Sequence, residues 1–148
     1  LKYTRLGIGE LFIARVDEGE TLPVSLIKFA EELKARIMVF YGIGGFRYAK
    51  IGFYRKQGEY SAIEISAPRG SVLEVSSIIG SVIWTGEKYH VHSHVTIGNS
   101  LNSELSARAI SGHLLEAVVD PLLEVFAQVY SGPSTVELRE VLPYRFNP

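Results

Sequence analysis

Apolar and polar residues alternate along most of the chain, and a helical spacing interrupts this rhythm clearly in one place near the start. Leu11-Phe12-Ile13-Ala14-Arg15-Val16 predicts a first strand, and Asp17-Glu18-Gly19-Glu20 turns the chain. Leu22, Leu26, Phe29, Ala30 and Leu33 then recur at helical intervals, with Thr21 as the cap and Pro23 in the first turn. Strand patterns follow over Arg36–Tyr41 and Phe46–Arg55, separated by Gly42-Ile43-Gly44-Gly45. Gln57-Gly58 gives a hairpin signal before a strand from Tyr60 to Ser66. A Pro68-Arg69-Gly70 turn leads into Val72–Ile79, and Thr85-Gly86 marks the next turn.

The second half is less regular. Lys88 to Ile97 alternates as a strand, after which Asn99–Ala109 breaks the rhythm. Ser103 there predicts the cap of a short second helix through Glu104, Leu105, Arg108 and Ala109, with Gly112 just beyond its end. From His113 to Tyr130 the apolar residues fit both helical and strand templates. Pro121 argues against one long helix, and Val118, Val119 and Val125 favour β-structure, so two strands broken at Asp120-Pro121 are expected. Val136 and Leu138 predict a last alternating strand. The whole reads as one α+β domain over residues 1–148: mainly antiparallel β-sheet, one principal flanking helix and the short second helix.

The strand at Lys88–Ile97 carries the chemistry. His90, His92 and His94 share one face of it, with neighbouring Cβ atoms roughly 6.5–7 Å apart. The fourth histidine of the chain, His113, opens the next apolar segment. Zinc takes nitrogens at about 2.0–2.1 Å in a tetrahedron, whereas the outer two of three alternating residues stand roughly 13 Å apart. One ion would therefore take either adjacent pair, with a third ligand from elsewhere. Histidines on a half-exposed strand are often only solvated, but the grouping of all four favours a metal site. Three ligands with a vacant fourth position is the arrangement of catalytic or exchangeable zinc.

Composition narrows the function classes. At 148 residues the chain can bury a sizeable core, and its apolar fraction of 47% leaves surface for a partner subunit to cover. No apolar run approaches a transmembrane length. Fifteen basic and sixteen acidic residues give a formal charge of −1 and no bulk attraction to nucleic acid or an anionic membrane. The chain has no cysteine, hence no disulfide or thiol chemistry, and no secretory leader pattern; a cytoplasmic location is the expectation.

The order of these features resembles the plants-and-prokaryotes conserved (PPC) domain family, in its prokaryotic form. The residues that carry the resemblance are the Gly19-Glu20 helix entry, Gly42-Ile43-Gly44-Gly45-Phe46, Val72 through Gly80, His92-Ser93-His94-Val95-Thr96-Ile97, and Gly112-His113-Leu114-Leu115. The resemblance implies an antiparallel sheet with a flanking helix, a homotrimer, and a zinc-binding trio falling on His92, His94 and His113, with His90 left over. In place of the family's short loop and Gly-Gly pair before the third histidine stand Asn99–Ile110 and Ser111-Gly112. The Arg-Gly-Arg-Pro hook by which plant members enter A·T-rich minor grooves has no counterpart.

Other motifs add little. Gly42-Ile43-Gly44-Gly45 lacks the third glycine of a dinucleotide fingerprint, because position 47 is Arg. Phe46, Tyr48, Phe53 and Tyr54 interleave with Arg47, Lys50 and Arg55, but a strand sends alternate residues to opposite faces, so packing explains them better than base stacking. Glu116 is the candidate general base on a metal-bound water, against the plainer reading of a surface carboxylate. The expected function is a zinc-binding, homotrimeric module in a binding or regulatory role. A zinc-dependent hydrolase and a DNA-binding protein are the alternatives.

Overall fold

In a computed structural model, residues 1–56, 59–99 and 108–146 are described. The strands are β1 (Gly7–Asp17), the two-residue β2 (Thr21–Leu22), β3 (Ile37–Tyr54), β4 (Tyr60–Ser66), β5 (Leu73–Trp84), β6 (Tyr89–Asn99) and β7 (Arg108–Ser131). Helix α1 (Val24–Glu32) follows β2, and α2 (Thr135–Val141) with a 3₁₀ turn at Pro143–Arg145 follows β7. All pairings are antiparallel, as expected from sequence. β3 pairs with β5, β5 with β6, β6 with β7, and β7 back with β3, so these four strands close a ring. β1 and β2 extend it along β7, and β4 extends it along β3.

The long strands β3 and β7 bend through irregularities instead of stopping. The glycines at 42–45 do not end a strand; β3 runs on through them, and its pairing with β7 shifts from Gly44↔Leu123 to Phe46↔Val119. Gly44 has φ 153°, and a Cβ there would strike the Leu122 backbone, so no other residue fits where the strands close up. The same bulge explains Pro121. It falls in the stretch of β7 skipped by the β3 register, where its missing N–H breaks no ladder bond, and β7 continues past it as one strand, not two.

Two further expectations change. Thr21 is not the cap of α1: it pairs with Val118 of β7, and Pro23 holds the N-cap position. The last strand expected around Val136 and Leu138 is instead helix α2. Ser134 accepts from the Glu137 backbone while the Glu137 carboxylate accepts from the Ser134 N–H, a reciprocal capping box. Leu138 is buried with Ile37 and Ile83, whereas Val136 is exposed, so their alternation was not a strand face. The Gln57-Gly58 turn and the part of the expected second helix at Ser103–Leu105 lie outside the described residues; Arg108 and Ala109 begin β7. α1 is the principal helix, as expected, and buries Leu26 and Ala30 in the same core cluster as Phe40, Val82, Val95 and Val125. Among the described residues, no helix is long and apolar enough to cross a membrane.

Candidate metal centre

Alternation along β6 sends Ser93, Val95 and Ile97 into the core and leaves His90, His92 and His94 on the outer face. The β6–β7 register sets His94 directly opposite His113, and the next outward pair, Thr96 and Ser111, is joined by a 2.7 Å hydroxyl hydrogen bond. His113 also pairs with Gly52 of β3, so it stands where the ring closes. A Cβ on the preceding Gly112 would lie 2.6 Å from Ile51 Cγ2, so glycine lets β7 approach β3 closely beside His113.

The register brings three imidazoles together. Ring centroids lie 5.3 Å apart for His92 and His94, 5.0 Å for His92 and His113, and 5.5 Å for His94 and His113. One nitrogen from each falls within 4.8 Å of the others, and the group contains no carboxylate. Nitrogens bound to one zinc in a tetrahedron are about 3.3 Å apart, so side-chain rotation has only to draw these atoms together by about 1.5 Å. The residues fit a first-row metal ion of the kind that imidazole holds. His90, on the same face, stays outside the group: its Nδ1 accepts a 2.6 Å hydrogen bond from Arg145 Nε.

Burial sets the protonation state. It pushes His113 down to about 4, with repulsion from His92 and His94 adding to the effect. His92 is lowered chiefly by burial, then by the Arg145 guanidinium and by His94. Both rings are therefore neutral at pH 7 and keep a lone pair for a metal.

Of the remaining candidates, Glu116 pairs in register with Lys50, which itself bridges to Glu64 at 3.1 Å. Of the aromatics of β3, Phe46 lies in the core, whereas Phe53 and Tyr54 at the strand's end are exposed. Sequence reasoning missed Tyr144 and Arg145, which pack beside the histidines: the Tyr144 ring stands edge-on to His92 at 6.1 Å. They lie more than fifty residues after His90 and His92 in the chain, and no local pattern marks them.

A single α+β domain closed into an antiparallel ring, with three histidines at its β6–β7 seam, defines the class. The chain belongs to the Plants and Prokaryotes Conserved domain family, whose pattern it matches over residues 3–131. It is similar to a plant- and prokaryote-conserved protein from Pyrococcus horikoshii, with 27% identity over 90% of this chain and 87% of that one and a TM-score of 0.78. A metal-containing protein from Archaeoglobus fulgidus is 30% identical over 90% of this chain and 89% of its own, with a TM-score of 0.77. A candidate DNA-binding protein from Bacteroides thetaiotaomicron shares the fold at 21% identity, with coverage of 86% and 85% and a TM-score of 0.72. No curated protein matches the sequence.

Proposed function

We propose that this chain is a zinc-binding module that works as a homotrimer in a binding or regulatory role, with His92, His94 and His113 as its three protein ligands. The observation that carries the reading is the convergence of one nitrogen from each of these side chains within 4.8 Å. A ligand set of imidazoles alone suits zinc, and the Archaeoglobus relative is itself described as metal-containing. Bound zinc would supply a Lewis-acidic position open to an anion or a carbonyl oxygen.

The chain's own residues favour binding over turnover. His113 and His94 are fixed by strand pairing, His92 by its place in the same strand, and the group offers no carboxylate to move a proton. Self-association is supported by the outer face. His94 pairs with Ile79, Ile79 with Tyr41, Tyr41 with Phe126 and Phe126 with Ile13, forming one row across the sheet. Ile79, Tyr41 and Ile13 are 60%, 59% and 67% exposed, an apolar band that a neighbouring copy would cover.

Calorimetric titration of zinc into the metal-free protein tests the reading. One ion per chain is expected, with no heat of specific binding in a variant lacking all three ligands. Saturable binding that persists in that variant would place the metal elsewhere.

A further inference from the structure

The segment after β7 lies beyond the residues that match the family, yet it reaches back to the histidines. Leu138 of α2 packs with Ile37 and Ile83, and Leu142 and Phe146 join them. This anchor delivers Arg145, only 2% exposed, to the outer face of β5 and β6. Its guanidinium donates to His90 Nδ1 at 2.6 Å, Ser81 Oγ at 3.0 Å, the Ser81 carbonyl at 3.1 Å and the His90 carbonyl at 2.6 Å. These four acceptors are neutral, so a buried charge is spent on fixing one histidine and its partner strand.

The chemistry of the two groups fixes the direction of the bond to His90. Arginine has donors and no acceptor, so His90 Nδ1 must offer its lone pair. A neutral imidazole has one lone pair and one N–H, which puts the proton on Nε2. Neither nitrogen is then available to a metal.

We propose that Arg145 is a positioning residue that selects the metal site: by occupying the His90 lone pair it removes the competing His90–His92 pair and leaves His92, His94 and His113 as the binding set. Three alternating histidines offer two overlapping pairs, and strand spacing alone does not choose between them. Strand register favours the inner choice by setting His113 against His94, and the C-terminal segment closes the other. The inference rests on the metal reading above and adds to it the device that makes one arrangement unique.

Imidazole ¹⁵N spectra recorded with and without zinc, on wild type, Arg145→Met and Arg145→Lys, test this directly. In wild type, His90 is expected as the Nε2–H tautomer and its nitrogens should not move when zinc shifts those of His92, His94 and His113. In Arg145→Met, His90 should respond to zinc, and a second substitution, His90→Ala, should restore the wild-type pattern at the other three. Arg145→Lys, which keeps a cationic donor, should leave His90 silent. A wild-type His90 that shifts with zinc overturns the proposal without any variant having to fold, and so does a His90 that ignores zinc in folded Arg145→Met. If His92, His94 and His113 themselves ignore zinc in wild type, the metal reading fails and takes this one with it, an outcome readily told apart from the other two.

Discussion

At the scale of single residues, one side chain shows how the fold prepares a candidate ligand. His113 sits at the seam where β7 meets both β6 and β3, and burial there pushes it from the usual 6.5 down to about 4. Between these values the unfolded chain binds the proton and the folded chain does not, so stability rises with pH across that window. The metal-free protein should therefore lose stability as pH falls from about 6.5 to about 4, with no further loss from this group below that. Denaturant melts at pH 7 and pH 5 check it, with His113→Gln as the control. The pH sensitivity should be smaller in the variant, and an equal sensitivity in both would assign the effect to other groups. Zinc would steepen the same trend, because protons compete for its ligands.

At the scale of elements, Ser134 and Glu137 decide what the C-terminal segment becomes. Ser134→Ala should cost about 1 kcal/mol, the usual worth of such a cap, read from denaturation at one fixed protein concentration. No change would mean that the packing of Leu138 alone holds α2. The S-x-x-E pattern was visible in the sequence, but the alternation of Val136 and Leu138 fits a strand equally well over so short a stretch. The reverse happened at Gly42–Gly45 and Pro121. Those residues are ordinary strand breakers, and only the facing strand shows that they accommodate a bulge inside β3 and β7. β4 was legible residue for residue, because clear turn signals flank it. His90, His92 and His94 were legible as candidates through alternation, which is a local property, and His113 as the one remaining histidine and through the family resemblance. Their convergence depends on the β6–β7 register and the exclusion of His90 on Arg145, and neither long-range contact leaves a mark in local sequence.

At the scale of the whole molecule, the apolar band on the outer face is the basis of the proposed self-association. Sedimentation equilibrium over a concentration series should fit a trimer, and a monomer throughout would contradict the proposed assembly. Duplex DNA should bind weakly and without sequence preference, with dissociation constants of roughly 10⁻⁴–10⁻⁶ M at about 150 mM salt, since a formal charge of −1 brings few phosphate contacts. Nanomolar affinity for an A·T-rich over a G·C-rich duplex would instead make nucleic acid the partner. The central claim is that three particular histidines hold one metal ion, and it is tested most directly by zinc content measured on the purified protein and on the four single His→Ala variants. One zinc per chain is expected in wild type and in His90→Ala, with zinc lost from His92→Ala, His94→Ala and His113→Ala. Loss in His90→Ala with retention in His94→Ala would contradict the account and move the site one step along the strand.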